Sequence, residues 1–456
     1  MSDRPLLVVI LAAGKGTRMQ SALPKVLHPV AGRSLLGHVI ARAQAASATK
    51  IAVVVGPGMD AVAKEAGRHA PGCGIYVQTD QRGTADAVLA TRQALATHQG
   101  DVVVLFGDTP LLTAETIAAA RAGLADADIV TVGFEATDPT GYGRILTDAK
   151  GAVVAIREHK DASVAERQVR LCNSGVMGFR SERLLDVLDG IGNANAKQEF
   201  YLTDGVEIGR AKGLRVACVT AAEAEMQGIN DRAQLADVEA AFQARKRLSV
   251  LAGGATLIAP DTVYFSHDTV IGQDVLIEPF VVFGPGVVVG NNVTIRAFTH
   301  VVGTDKKIAT GAMIGEGAEL GPFARIRPGT VLGNNVHVGN FVEVKNTVLD
   351  EGAKANHLTY LGDAQVGAGA NIGAGTITCN YDGFNKHVTV IGAGAFIGSN
   401  SALVAPVKIG DGAIIGAGSV ITKDVASNAL AVTRAAHDER PGWAVKFRAM
   451  MARKKT

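Results

Sequence analysis

Cysteine is scarce in this chain of 456 residues, and Cys73, Cys172, Cys218 and Cys379 stand far apart with no paired metal-type spacing. That excludes a thiolate zinc site and points to four free thiols in a reducing compartment. An excess of either charge is also lacking. Lys and Arg number 45 against 43 Asp and Glu, a net of +2, so there is no global electrostatic case for nucleic acid or a membrane surface. Hydrophobic residues make up 47% of the chain, yet no uninterrupted run reaches the roughly 18 residues of a membrane span. Met1-Ser2-Asp3 leads at once into an apolar strand, without the basic region and small-residue cleavage site of a secretory leader. A cytoplasmic location is therefore expected. The length exceeds one ordinary domain and suffices for two cores.

What is present is a period of six. Ile271, Ile277, Phe283, Val289, Ile295 and Val301 form one series of aliphatic or aromatic residues. Ile308, Ile314, Leu320, Ile326, Leu332, Val338 and Val344 form a second, and Ile391, Ile397, Leu403, Ile409, Ile415 and Ile421 a third. Glycine often follows, as at Gly272, Gly315, Gly333 and Gly398. Neither a helix nor an alternating strand has that period. A hexapeptide repeat does, each short strand sending one side chain inward, three strands to a triangular coil. The stretch resembles the left-handed parallel β-helix of hexapeptide-repeat acyltransferases.

Before it, residues 6 to about 221 alternate strand-like and helix-like segments. Leu6–Leu11, Ile51–Val55, Val102–Phe106, Ile129–Phe134 and Val216–Val219 read as buried strands. Helices are expected around Leu35–Ala46, Ala85–Ala96 and Thr113–Ala122. This predicts a mostly parallel, Rossmann-like sheet with helices on both faces and a ligand beyond the strands' carboxyl ends. The first strand enters Leu11-Ala12-Ala13-Gly14-Lys15-Gly16-Thr17-Arg18-Met19, then Pro24-Lys25. Closely spaced glycines there let backbone N–H groups approach phosphate oxygens. The spacing is neither a Walker loop nor a dinucleotide fingerprint. The combined motif resembles that of sugar-phosphate nucleotidyltransferases, which implies that Arg18 and Lys25 stabilise a triphosphate. Gln78 with Arg82-Gly83-Thr84 resembles the base-recognition loop of the uridylyl branch. Phe106-Gly107-Asp108 ends a strand, with Asp108 as an expected Mg²⁺ ligand and Asn230 as the second by resemblance. Gly143, Glu158 and Asn173 are carried over as sugar-binding residues. His28 and His159 lie inside motifs and read as structural or substrate-side polar residues.

Asp231 and Gln234 suggest a helix cap; Leu235, Val238 and Phe242 keep helical spacing, and Gly253-Gly254 ends the run. The basic triplet Arg245-Lys246-Arg247 reads as a solvated face. Boundaries are thus expected at residues 1–230, 231–252 and 253–456. In the repeat region, Arg327 and Lys345 take the slot after the inward residue one coil apart, a like-charge stack that suits an anion. Glu278 and Arg296, also one coil apart, have opposite signs and need none. The repeat breaks at Asn346–Gln365 and Thr378–Val390, expected loops carrying His357, a candidate general base, and Asn380-Tyr381. His267, His300 and His337 read as surface or stacking residues.

The whole chain resembles the bacterial bifunctional family of UDP-N-acetylglucosamine synthesis. That family joins glucosamine-1-phosphate N-acetyltransferase to N-acetylglucosamine-1-phosphate uridylyltransferase. The resemblance implies that Arg327, Lys345, Tyr360 and Asn371 bind sugar phosphate and that His357 takes the amine's proton. Ala374, Asn380, Tyr381, Ser399, Ala417 and Arg434 would line the acetyl-CoA site. It implies UTP as uridylyl donor, Mg²⁺ as metal, and a homotrimer formed through the β-helices with shared acetyltransferase sites. Asn356 departs from the glycine expected beside the base. The basic tail with Trp443, Lys446, Arg448, Arg453, Lys454 and Lys455 reads as a solvated, frayed terminus, the alternative being a fold over the acetyl-CoA site. Two rivals share this layout: a nucleotidyltransferase whose β-helix serves only assembly or regulation, and a non-enzymatic binding module. Each requires erosion of motifs that are intact here.

Overall fold

The computed structural model describes residues 4–304 and 311–453. The chain divides into two compact units, Met1–Lys246 and Arg247–Thr456. In the first, β1 (Leu6–Leu11), β2 (Lys50–Val55), β3 (Gly74–Val77), β4 (Asp101–Phe106) and β5 (Ile129–Glu135) are joined by β6 (Arg144–Thr147), β7 (Val153–Arg157), β8 (Leu171–Arg180) and β9 (Val216–Thr220). The main sheet has the order β9-β5-β8-β4-β1-β2-β3. It is parallel except at β8, which runs antiparallel to both β4 and β5. The β6–β7 ribbon hangs from the start of β8 through Cys172 and Arg144.

Alternate residues of β1 build two cores. Leu6, Val8 and Ile10 meet Leu36, Val39 and Ile40 of α1 (Leu35–Ala45) and Val62 of α2 (Asp60–His69). Leu7, Val9 and Leu11 face the other way, toward Val88 of α3 (Thr84–Leu89). Each such fully buried aliphatic side chain stabilises the fold by about 1.5–3 kcal/mol. The expected helix over Ala85–Ala96 is two pieces, α3 and α4 (Arg92–Thr97). Between them buried Thr91 turns its hydroxyl back to the Val88 carbonyl, at 2.7 Å, and this local bond replaces a helical turn. Thr113 caps α5 (Ala114–Gly123) by accepting from the Thr116 N–H. Two further helices, α6 (Ser181–Leu188) and α7 (Gly205–Ala211), add Leu184, Val187 and Val206 to the second core.

The connecting segment is α8 (Arg232–Ala252). Asp231 accepts from the Gln234 N–H at 2.9 Å, the expected cap. Val238 is buried against Met19, Leu35, Leu111 and Ile229, with Leu235 and Phe242 beside it. The basic triplet is solvated at Arg245 and only half-buried at Lys246 and Arg247, and both arginines hold oxygen partners. Arg245 donates to the Leu111 carbonyl at 2.9 Å, and Arg247 pairs with Asp261 at 3.0 Å while itself 12% exposed. A long guanidinium stem can lie in packed surface while its head finds oxygen partners.

The second unit is the expected prism, a left-handed parallel β-helix of strands two to seven residues long. Among the described residues the pairs between its strands are parallel, the one antiparallel bridge being Tyr381–Lys386. Inward residues such as Ile277, Ile295, Leu320 and Val338 form one continuous core column. Glycine often fills the slot after an inward residue, as at Gly321 and Gly339, because coils stack closely. A Cβ on Gly315 would lie 2.5 Å from the backbone of Gly333.

The first expected break is no loop. Glu343–Leu349 and Tyr360–Val366 are long strands, pairing Arg325 with Glu343 and Glu343 with Tyr360. The inward series simply steps by five instead of six, from Val344 to Leu349 and from Leu361 to Val366, all buried. The second break is a true insertion: Ile377 pairs with Ala402, and a bridge between Tyr381 and Lys386 closes the excursion. Another lengthened coil pairs Val287 with Ala312; Ile308, expected in the series there, lies outside the described residues. The tail is solvated, as expected, but helical rather than frayed: every residue of α9 (Trp443–Arg453) is exposed, and Trp443 stacks on Phe447 at 5.1 Å. Lys454 and Lys455 lie outside the described residues.

Two candidate active sites

In the first unit a cavity of about 370 Å³ opens at the carboxyl ends of β1 and β4. Leu11, Ala12, Ala13, Gly14, Lys25, Gln78, Gly83, Thr84, Phe106 and Asp108, all expected site residues, line it. The Gly107 N–H donates to the Leu11 carbonyl at 2.9 Å, fixing the two strand ends side by side. Gln78 spans Gly83 O and Asp86, each at 2.9 Å. Gly83 has a φ of +132° and meets Phe200 so closely that a Cβ would lie 2.5 Å from its carbonyl oxygen. Gly83→Ala is therefore expected to shift this loop and to cut the nucleotidyl transfer that the motif's resemblance implies about 10²-fold, checked by steady-state pyrophosphate release.

Lys25 is ion-paired to Asp108 inside the cavity. Arg18 does not line the cavity; it donates to Asn230 Oδ1 at 2.8 Å. The Ile229 N–H donates to the Asp108 carbonyl at 3.1 Å, so Asp108 and Asn230 are neighbours. Gly143, Glu158 and Asn173 group at the β6–β8 junction, apart from the cavity lining. Asn173 N donates to Gly143 O at 2.8 Å, and Glu158 accepts from the Thr203 hydroxyl at 3.2 Å. Burial pushes the Glu158 carboxyl up, against that hydrogen bond. A bulge in β8 after Asn173 sets Gly175 against the Phe106 ring, linking this group to the cavity. His28 is buried and its imidazole is pushed down, first by burial and then by Arg232. Gln81 and Glu199, which the motifs did not single out, also line the cavity.

On the prism, Arg327 and Lys345 do stack, but the charges are not bare. Glu343 accepts from Arg327 at 2.5 Å and lies 3.6 Å from Arg325, so a built-in anion offsets the like-charge repulsion. Lys345 is flanked by Gly362, above which the Tyr360 hydroxyl lies. Glu278 and Arg296 do pair, at 3.5 Å. Asn380 donates to Asp363, which also accepts from Asn346 at 2.7 Å and sits 3.6 Å from Lys386. Lys386 covers the Tyr381 ring at 5.5 Å. Glu343 and Asp363 were not singled out because their partners come from neighbouring coils.

His357 ends the strand Lys354–His357 with its ring exposed and Nδ1 2.9 Å from Asn340 Oδ1. Asn356, the departure beside it, lies within that strand; the left-handed residue is Leu358, at φ +50°. Four of the six expected acetyl-CoA residues follow down one corner, while Asn380 and Tyr381 sit beyond the next strand with Asp363 and Lys386. Gly375 N reaches His357 O at 3.3 Å, Asn400 N reaches Ala374 O at 2.7 Å, and Gly418 N reaches Ser399 O at 2.8 Å. Arg434 then donates to Ala417 O at 2.7 Å. Asn371 lies apart, on the face of Lys354 and Phe396, whereas Tyr360 is on the face of Glu343 and Ile377.

Residues 8–170 match the model of the MobA-like NTP transferase domain. Residues 268–303, 311–346 and 389–423 match the bacterial transferase hexapeptide model. Over 449 residues, 98% of both chains, the protein is 56% identical to the bifunctional protein GlmU of Bradyrhizobium sp. (strain ORS 278). It is also 56% identical, over the full length of both chains, to the protein of that name from Xanthobacter autotrophicus. The chain belongs to the GlmU family. As a GlmU-family protein it is a bifunctional transferase of UDP-N-acetylglucosamine synthesis, joining N-acetylation of glucosamine 1-phosphate to uridylyl transfer onto N-acetylglucosamine 1-phosphate. The rival with a merely structural β-helix is not favoured.

Proposed function

We propose that the cavity of the first unit carries uridylyl transfer from UTP and that the prism corner carries acetyl transfer from acetyl-CoA. The observation that carries this reading is the line of Ala374, Ser399, Ala417 and Arg434 below a histidine whose Nδ1 is already engaged.

The Leu11–Gly14 turn, Gln78, Gly83 and Thr84 receive the nucleotide, and Gly143, Glu158 and Asn173 the sugar. An oxygen of the sugar 1-phosphate attacks the α-phosphorus in line, and the bond to pyrophosphate breaks as the new one forms. Arg18 and Lys25 turn from Asn230 and Asp108 toward the triphosphate and offset charge moving onto the leaving group. Asp108 and Asn230 lie on bonded backbone segments, and their carboxylate and amide oxygens are hard donors that would fit Mg²⁺ bound chiefly through substrate phosphates, whose charge it would neutralise.

On the prism, Arg327, Lys345, Tyr360 and Asn371 hold the sugar phosphate, and Asn380 and Tyr381 join the acetyl-CoA line. His357 Nε2 takes a proton from the amine as its nitrogen bonds to the acetyl carbon. The Ala374 N–H, which makes no hydrogen bond among the described residues, donates to the oxyanion. The carbon–sulfur bond then breaks, and Nε2 returns the proton to the departing sulfur.

A homotrimer belongs to the same reading, since Asn371 and Tyr360 sit on different faces and one prism does not close around both. Its support is a ladder of exposed phenylalanines, Phe280, Phe298, Phe323 and Phe341, stacked 4.9–5.2 Å apart along one corner that continues to Leu358 beside the base. Four solvent-facing aromatic rings in a row are an apolar surface that a second copy would cover. Phe298→Glu is expected to give monomers in sedimentation analysis and at least about 10-fold less acetyl transfer, the charge being desolvated in the interface. A cytoplasmic location is proposed with it, supported by four free cysteines. Among the described residues no helix is long and apolar enough to cross a membrane.

The test is a split assay on the purified full chain. Thiol release from acetyl-CoA with glucosamine 1-phosphate and pyrophosphate release from UTP with N-acetylglucosamine 1-phosphate are both expected. EDTA should abolish only the second. Pyrophosphate release without thiol release would overturn the assignment of the prism.

A further inference from the structure

Asn340 and His357 are register partners on adjacent coils, and the amide Oδ1 lies 2.9 Å from the imidazole Nδ1. An amide oxygen only accepts, so with Oδ1 facing the ring Nδ1 is the donor, and in the neutral imidazole the lone pair is then on Nε2. Nε2 makes no hydrogen bond among the described residues and is free to meet substrate. The reverse orientation, with the amide nitrogen donating to Nδ1, would place the proton on Nε2 and leave no base there.

The backbone around the ring is secured without this amide. The His357 carbonyl accepts from the Thr359 hydroxyl at 2.8 Å and from Gly375 N at 3.3 Å. Leu358 N donates to the Asn340 carbonyl, not to its side chain, at 3.1 Å. Loss of the Asn340 side chain therefore frees the imidazole and leaves its strand in place. A cavity of about 230 Å³ opens beside the pair, and its titratable lining besides His357 is His337 and Glu319. Those two lie 3.8 Å apart, with Arg296 3.4 Å from Glu319, so that carboxylate is already engaged.

We infer that Asn340 is a positioning residue for acetyl transfer: it holds His357 in the Nδ1–H tautomer and fixes the direction in which Nε2 points. This rests on the reading of His357 as the base, and the two fail separately. The experiment uses the full chain with Asn340→Leu, Asn340→Asp and His357→Ala, reading thiol release against pH and pyrophosphate release as the control for folding. Asn340→Leu is expected to lower kcat for thiol release about 10- to 100-fold, with KM for both substrates within about two-fold, because orientation rather than binding is lost. Asn340→Asp keeps an acceptor and adds a charge, so it should retain most activity at high pH. Its acidic limb should move upward by about one pH unit, because a carboxylate favours imidazolium. A purely structural Asn340 would lower the unfolding midpoint without the split between kcat and KM in Asn340→Leu.

If His357→Ala is inactive in thiol release while Asn340→Leu keeps its wild-type kcat, or if Asn340→Asp leaves the limb in place, the inference is wrong. If His357→Ala itself still releases thiol, the base assignment falls first and the inference with it. Should Asn340→Leu fail to fold, seen as lost pyrophosphate release, the isosteric Asn340→Asp profile decides alone.

Discussion

His357→Ala is expected to lower thiol release from acetyl-CoA by about 10²–10⁴-fold, the usual contribution of a positioned general base, while pyrophosphate release stays at the wild-type rate. The ring is exposed and lies outside the prism's core column, so its removal opens no cavity. The strand that carries it stays bonded through the carbonyl of residue 357 to Thr359 and Gly375. Among the described residues the partner left open is the Asn340 amide, at a surface where water replaces the imidazole. Stability is therefore expected to change little, and the unfolding midpoint of the variant checks it. Because proton removal from the amine belongs to the transition state, the loss should fall on kcat and leave the KM for acetyl-CoA unchanged. Thiol release within 10-fold of wild type would mean that the amine is deprotonated elsewhere.

Much of this was legible in the sequence, for physical reasons that also mark where reading stopped. The hexapeptide period survives as a pattern because each inward slot tolerates only an apolar or small side chain. The coil lengths do not survive in the same way. A five-residue step from Val344 to Leu349 looks like a broken repeat in sequence, yet the structure absorbs it by running Glu343–Leu349 as one strand. That misreading hid Asn340, which sits seventeen residues before His357 and faces it only when the coil is one residue short. In the first unit five parallel strands announced themselves as apolar runs, but the edge strand Gly74–Val77, which alternates half-buried and exposed residues, did not. The antiparallel β8 did not, because Asn173, Ser174 and Gly175 interrupt it at the bulge. Motifs contiguous in sequence, such as Leu11–Gly14 and Gly83-Thr84, were legible as local chemistry. Pairings across the chain were not. Glu343 between Arg325 and Arg327, and Asp363 between Asn346, Asn380 and Lys386, depend on which coil lies above which. The like charges of Arg327 and Lys345 were read as a request for a bound anion, although Glu343 already supplies part of it.

Asp108→Asn is expected to do in the first unit what His357→Ala does in the second, with pyrophosphate release falling about 10³-fold and thiol release untouched. The substitution preserves shape. The turn is held by the Gly107 N–H on Leu11 O and by the Ile229 N–H on Asp108 O, neither of which uses the carboxylate. What is lost is one negative charge with two duties. It is the anion that holds Lys25 in the cavity, and in the proposed reaction it is the strongest oxygen donor to Mg²⁺. The two duties separate by titration with metal. If the carboxylate acts through Mg²⁺, raising the Mg²⁺ concentration should restore part of the activity of Asp108→Asn, since a weakened site fills by mass action. The same titration should do nothing for Lys25→Gln, where the metal donors are intact and the cation on the triphosphate is gone. Equal recovery of both variants, or of neither, would mean that Asp108 serves only to place Lys25, and the metal would have to be held elsewhere.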